Sequence, residues 1–124
     1  MARIERFEDI KSWQSGRELC KMIYTVTKQE CFNRDFGLRD QVRRAAVSVV
    51  SNIAEGFESQ TNRTFIRYLY IAKASCGEVR SQAYVALDQE YISPKEFESI
   101  YAKATETSRL IAGFIAYLRQ HLDR

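Results

Sequence analysis

The chain has 124 residues, the length of a single domain that buries about two thirds of the surface its unfolded form exposes. Hydrophobic residues make up 45% of it and charged residues 28%, which is typical of a folded domain and argues against disorder. The net charge of +3 and pI of about 8.8 permit a polyanionic partner without requiring one, because charge alone indicates nucleic acid only above a pI of about 9.

The compartment can also be inferred from composition. Residues 1–13 are charged throughout and lack the apolar core of a secretion signal, and no stretch approaches the roughly 18 apolar residues of a membrane span. The three cysteines, Cys20, Cys31 and Cys76, are odd in number and form no CxxC pair, so reduced thiols are the simplest interpretation. We therefore expect a cytoplasmic protein that does not enter a membrane.

Long helices dominate the predicted secondary structure. One proline and five glycines leave few helix breakers, which favours helices over a β fold with many turns. Apolar residues at helical spacing predict four helices, at about residues 8–29, 38–57, 63–90 and 94–121. Amphipathic helices with short connections predict an all-α, antiparallel up-down-up-down four-helix bundle, which forms a single domain over residues 1–124.

The first predicted helix has acidic residues, Glu8 and Asp9, in its first turn, where the helix dipole favours negative charge. The residue before them, Phe7, is expected to fold back onto the helix. In the loop that follows this helix, Phe32 and Phe36 are expected to pack as plugs at the end of the bundle.

The second predicted helix has an unusually wide apolar surface. At 100° per residue its apolar side chains cover about 200° of arc, roughly twice what a helix facing one core needs. These side chains are Leu38, Val42, Ala45, Ala46, Val47, Val49, Val50, Ile53, Ala54 and Phe57. We therefore expect one side of this helix to pack in its own chain and Val47, Val50 and Ala54 to contact a second copy.

The third and fourth predicted helices each contain a local signal. Gly77 interrupts the third helix at a cost of up to about 1 kcal/mol relative to alanine, which indicates a close contact with another helix there. The fourth helix is preceded by Ser93, Pro94 and Glu96, which form a capping box with proline at the first helical position. This pattern predicts that the fourth helix begins at Pro94.

A basic surface is predicted on the third helix. No acidic residue occurs between Glu58 and Glu78, whereas helical spacing places three cations and a tyrosine opposite the core stripe. These residues are Arg63, Arg67, Tyr70 and Lys73. Such a line can neutralise phosphates and stack a base, so it is a candidate nucleic-acid site. The alternative is an ordinary solvated helix face.

A second group of cations lies at the start of the second helix. Arg39 and Arg43 are candidates for nucleic-acid binding, although interleaved acidic residues such as Asp40 favour a structural role. If the second and third helices pair antiparallel about a turn near residue 60, Arg44 comes level with Glu78. We therefore predict a buried or half-buried ion pair between Arg44 and Glu78.

No residue pattern predicts an enzyme. Glu55 follows Ser48 and Asn52 on a polar line of the second helix, but the sequence contains no identifiable partner to activate it. The single histidine, His121, has no second ligand at metal-binding spacing, so neither a metal nor another cofactor is expected. Glycine-rich phosphate loops are also missing from the sequence.

Several segments together resemble a known family. Trp13-Gln14, RRAAVS at residues 43–48 and SNIAEG at residues 51–56 are similar to the bacterial four-helix-bundle proteins encoded in 23S ribosomal RNA intervening sequences. The similarity covers about residues 7–120 and implies a ring-like homopentamer. These proteins also resemble the accessory variability proteins of diversity-generating retroelements, which are basic bundles that associate with nucleic acid and a reverse transcriptase.

Two hypotheses for function follow from these observations. The first is a non-enzymatic homo-oligomeric bundle that binds RNA or DNA through its surface arginines and lysines. The second is an oligomeric scaffold whose partner is a protein, with the basic residues serving solubility and ion pairing. Salt dependence distinguishes the two, because binding to phosphates weakens steeply as ionic strength rises.

Overall fold

The structure, a computed structural model, describes residues 4–122 and is helical throughout this range apart from short connections. A 3-10 turn at Phe7–Asp9 precedes five α-helices. These are α1 (Lys11–Thr27), α2 (Glu30–Arg34), α3 (Phe36–Phe57), α4 (Asn62–Asp88) and α5 (Pro94–Arg119). The ends of the predicted domain, residues 1–3 and 123–124, lie outside the described residues.

The four long helices, α1, α3, α4 and α5, form the predicted bundle. Each packs against two neighbours, so that α1 contacts α3 and α5 while α4 contacts the same two helices from the opposite corner. Hydrogen bonds join Ser48 to Ser75 and Gln41 to Gln82 across the α3–α4 seam. Residue numbers rise on α3 as they fall on α4, so these helices are antiparallel, as predicted.

Local capping explains where the later helices begin. The Ser93 hydroxyl accepts from the Glu96 N–H at 3.1 Å and the Glu96 carboxylate accepts from the Ser93 N–H at 2.8 Å, which confirms the predicted capping box. These bonds hold the pKa of Glu96 below its usual value, with the backbone N–H of Ser93 as the main cause. In α3 and α4 a single side-chain bond caps the helix, because Asp35 accepts from the Leu38 N–H and Thr61 from the Thr64 N–H.

The start of the first helix differs from the prediction. Glu8 and Asp9 lie in the 3-10 turn, and Ile10 adopts an extended conformation before α1 begins at Lys11. The break allows Ile10 to be buried in the core. Phe7 does fold back as expected, because its ring lies 5.2 Å from that of Trp13 in an edge-to-face arrangement.

The connection between α1 and α3 also differs in part. It contains the short helix α2, which was predicted as loop. Phe32 is buried, as expected for a plug at the end of the bundle. The same prediction is wrong for Phe36, which is 64% exposed, because it begins α3 on the side away from the core and lies 4.9 Å from the Arg39 guanidinium.

The closest helix contacts occur at two glycines of the α1–α3 and α3–α4 seams. A Cβ on Gly56 would lie 2.6 Å from Phe65 Cδ1 and 2.9 Å from Tyr68 Cβ, and one on Gly16 would lie 3.0 Å from Val49 and Val50 side-chain atoms. At Gly77 the nearest atom would be an arginine Nη2 of the same helix, at 3.7 Å. The close contact predicted at Gly77 is therefore wrong.

The two glycine environments predict opposite effects of alanine. Gly56→Ala should lower the free energy of unfolding by about 1–3 kcal/mol, because the new methyl group must displace the Phe65 ring and the Tyr68 Cβ atom. Gly77→Ala, the matched control, should raise it by up to about 1 kcal/mol through helix propensity. Urea denaturation measures both. Equal stability of the two variants would contradict the assigned contacts.

The cysteines differ in their surroundings. Cys76 is buried, Cys20 is half-buried and donates to the Ala46 carbonyl oxygen at 3.1 Å, and Cys31 is exposed. Burial raises the pKa of the Cys20 and Cys76 thiols to about 11. Because the thiolate is the reactive form, these two thiols are protected in the folded protein.

A thiol titration tests these environments. At a pH of about 8, we expect a chromogenic disulfide reagent to modify Cys31 rapidly and Cys20 and Cys76 only after denaturation. Cys31→Ser should abolish the fast phase and serves as the control. A fast phase that persists in this variant would show that a core thiol is accessible.

Candidate functional site

The four residues of the predicted basic line lie together on α4. Arg63 and Arg67 are exposed, Tyr70 is 45% exposed and Lys73 is half-buried. A fifth residue, Arg119 of α5, donates to the Tyr70 hydroxyl and places its guanidinium 5.5 Å from the centre of the Tyr70 ring. We refer to these five residues as the α4 basic surface.

Arg119 was not identified from the sequence. The antiparallel order of α4 and α5 brings the last turn of α5 beside the first half of α4, and this order places Arg119 next to Tyr70. Arg119 and Tyr70 are 49 residues apart in sequence, so no local pattern connects them. The antiparallel order of the third and fourth predicted helices is nevertheless consistent with their contact. The α4 basic surface therefore extends across the α4–α5 seam.

No ion pair involves the α4 basic surface among residues 4–122. The ion pairs in this range join Arg6 to Asp9, Arg34 to Glu30, Arg39 to Asp40, and Lys103 to Glu18 and Glu106. From Arg63 to Lys73 the helix rises by about 15 Å without an acidic residue. The cations of this surface thus form no ion pair within the described chain.

Arg39 and Arg43 have other contacts. Arg39 donates to Asp40 at 2.9 Å and to the Asn33 carbonyl oxygen at 3.1 Å. Arg43 donates to the buried Thr27 hydroxyl at 2.8 Å, and its guanidinium lies 4.7 Å from the Tyr24 ring centre. These contacts hold α3 to α1 and α2, near the end of the bundle opposite to Arg63 and Arg67.

The predicted ion pair between Arg44 and Glu78 is wrong. The neighbouring bonds across the α3–α4 seam place the two residues level, as expected. Both side chains are nevertheless exposed, and no ion pair joins them in the part of the chain that the structure describes. Glu78 instead accepts from Gln82 at 3.3 Å. At an exposed seam an ion pair gains little free energy over such a contact.

The polar side chains along α3 form hydrogen bonds within the bundle. Asn52 donates to the Ser48 carbonyl oxygen at 2.8 Å and to its hydroxyl at 2.9 Å, and Ser75 of α4 donates to the same hydroxyl at 2.9 Å. Glu55 is exposed and takes no part in this network. Bonds of this kind fix the register of α3 against α4.

The predicted oligomer surface is partly covered by its own chain. Val50 packs against Gly16 of α1, and Val50 and Ala54 are half-buried. Val47, which lies outermost, is 39% exposed. Further apolar side chains that the sequence analysis did not single out, Ile71 and Val85, are exposed on α4. Apolar surface therefore remains uncovered on both helices.

The described residues contain neither a membrane-spanning helix nor a cluster of metal ligands. No helix within residues 4–122 combines the length and apolarity needed to cross a bilayer. In the same range, no three histidine, cysteine, aspartate or glutamate side chains lie close enough together to hold a metal ion.

A solved structure shares the fold. The crystal structure of a protein of unknown function from the S23 ribosomal protein family of Bacteroides thetaiotaomicron VPI-5482 matches this chain with a TM-score of 0.78. The match has 24% sequence identity and covers 85% of this chain and 95% of that one. It confirms the helical-bundle fold. No curated protein matches the chain.

A family model identifies the sequence relationship. The model described as 23S rRNA-intervening sequence protein matches residues 8–113, which is most of the chain and includes α1, α3, α4 and the greater part of α5. The resemblance carried by the RRAAVS and SNIAEG segments is thereby confirmed at the level of the family. The chain belongs to the 23S rRNA-intervening sequence protein family.

Proposed function

We propose that this protein is a non-enzymatic, homo-oligomeric four-helix bundle that binds RNA or DNA through the α4 basic surface. The observation that supports this most directly is the lack of any ion pair to Arg63, Arg67, Lys73 or Arg119 among residues 4–122. Cations that are neutralised within a protein have little to gain from a phosphate. Unpaired cations on one surface release counterions from nucleic acid when they bind it.

The chemistry of the surface suggests binding without sequence preference. Arginine and lysine on a helix face contact phosphates, which position a nucleic acid without reporting its sequence. Tyr70 is the one aromatic residue of the surface, and its exposed ring can stack on any base. We therefore expect electrostatics to dominate the affinity, with little discrimination among sequences.

Self-association is the second part of the proposal. Val47, Val50 and Ala54 leave apolar surface on α3 that a second copy would cover. The resemblance to intervening-sequence proteins favours a homopentamer, and the similarity to retroelement accessory proteins agrees with a nucleic-acid partner. Several α4 basic surfaces in one assembly would bind a single strand together, which raises avidity without new contacts.

The non-enzymatic character is also proposed. Asn52 donates to Ser48, and Ser48 accepts from Ser75, which leaves Glu55 as an exposed carboxylate outside this network. A catalytic carboxylate needs a group to activate or a substrate held in position. Metal-dependent hydrolase or nuclease turnover that Glu55→Gln abolishes would overturn this part.

Salt-dependent binding tests the nucleic-acid proposal. Fluorescence anisotropy with labelled RNA and DNA of about 20 nucleotides should show affinity falling about 20- to 150-fold between about 50 and 200 mM salt, as expected for three to four phosphate contacts. Neutralising Arg63, Arg67 and Lys73 together to glutamine should remove most of this salt dependence. The lost contacts should weaken RNA and DNA similarly.

The control variant also removes three positive charges, but from a different surface of the protein. Arg17→Gln, Lys21→Gln and Lys28→Gln combined remove three exposed cations from α1 and its C-cap and should leave most of the affinity intact. Equal losses in both triple variants would show that overall charge, and not the α4 basic surface, determines binding. No binding to any RNA or DNA at low salt would exclude the proposal.

A protein-interaction scaffold is the second candidate. Ile71, Tyr84 and Val85 are exposed on α4, and large exposed apolar side chains are available for protein contacts. This function predicts partners that stay bound to the immobilised protein after nuclease treatment and a high-salt wash. Ile71→Glu should release them, whereas neutralising Arg63 and Arg67 should not.

A further inference from the structure

A pocket of about 610 Å³ lies where α1 begins, between its first turn and the second half of α5. Its walls are largely apolar and include Ile10, Leu110 and Phe114. One side is formed by Gly113, where an added Cβ would meet no atom within 4 Å. The volume is within the range of small-molecule sites, and the missing side chain at Gly113 keeps it open.

One residue that lines this pocket, Ser12, has a buried hydroxyl without a partner among the described residues. Ser12 is 2% exposed, and its Oγ has no hydrogen-bond partner among the described residues. A buried hydroxyl normally finds a partner, because one left unsatisfied has lost its hydrogen bonds to water without replacing them. By contrast, the neighbouring Ser15 hydroxyl is bonded to that of Thr107 at 2.6 Å. Ser12, a residue that lines the pocket, therefore has a buried donor that no other described residue uses.

The backbone at the same place also lacks acceptors. No side chain caps α1, since its N-cap residue is Ile10, unlike α3, α4 and α5, which each have a polar cap. The first backbone bond of the helix runs from the Gln14 N–H to the Ile10 carbonyl oxygen at 3.1 Å. The N–H groups of Lys11, Ser12 and Trp13 thus have no acceptor within residues 4–122. Such a helix start favours an anion.

The charged residues of the pocket suggest how much negative charge it accepts. Lys11 and Arg109 contribute two positive charges and Asp9 one negative charge, which leaves an excess of one positive charge. Asp9 is partly engaged, because its carboxylate lies 3.7 Å from Arg6. A single negative charge on an apolar body matches this lining better than a doubly charged phosphate on a polar one.

We propose that this pocket binds a small organic monocarboxylate, with the carboxylate at the Ser12 hydroxyl and the uncapped first turn of α1 and the apolar body against Ile10 and Phe114. Lys11 and Arg109 attract the anion from solvent. The site is separate from the α4 basic surface in the residues that form it, so a ligand here is independent of nucleic-acid binding.

Calorimetric titration with 4-phenylbutyrate tests the site, with 4-phenylbutanol as the neutral probe of the same body. We expect saturable binding of the carboxylate in the micromolar range and binding of the alcohol at least about tenfold weaker. Ser12→Ala should weaken carboxylate binding about 3- to 10-fold, and Arg109→Gln about tenfold. The alcohol should respond little to either variant.

A blocking variant separates the pocket from the rest of the surface. Gly113→Leu places a side chain in the open volume and should abolish binding, while helix propensity keeps the melting temperature at or above the wild-type value. Ala112→Leu, on the adjacent exposed position outside the pocket, is the control and should bind normally. No saturable binding at millimolar probe, equal binding of the alcohol, or unchanged binding in Gly113→Leu would each overturn the proposal.

Discussion

The packing of α3 against α1 and α4 is the contact on which the other features depend. Gly56 lets Phe65 and Tyr68 approach the α3 backbone, and Gly16 lets two valines of α3 approach α1. A Cβ at Gly56 would have to displace Phe65 and Tyr68, and one at Gly16 would require the two valine side chains to shift. The outer edge of α3 is less well covered, because Val47 remains 39% exposed.

The same packing determines where functional groups lie. The Ser48–Ser75 bond fixes α4 against α3, so the opposite face of α4 presents the cations of the α4 basic surface to solvent. On the other side of the bundle, burial of Ile10 ends the 3-10 turn and leaves α1 without a polar cap. The cations proposed to bind a polyanion and the hydrogen-bond donors proposed to bind a small anion therefore lie at different places on the same bundle.

Much of the fold could be predicted because its signals are local. Apolar periodicity located four helices, and the Ser93 capping box fixed the start of α5. Features that depend on tertiary geometry could not be found this way. Gly77 and Gly56 cannot be distinguished from the sequence, and only the fold shows that Gly56 is the one that contacts another helix. Arg119 beside Tyr70 and the unpaired hydroxyl of Ser12 likewise depend on residues distant in the chain.

The central claim is that α3 has more apolar surface than its own chain covers, so that copies associate. Sedimentation velocity at micromolar concentration tests it most directly on the wild type, Val47→Asp and the control Ser99→Asp, which adds the same charge at an exposed position of α5. The wild type and the control should sediment as one assembly and Val47→Asp as smaller species. A monomeric wild type, or an unchanged assembly in Val47→Asp, would contradict the claim.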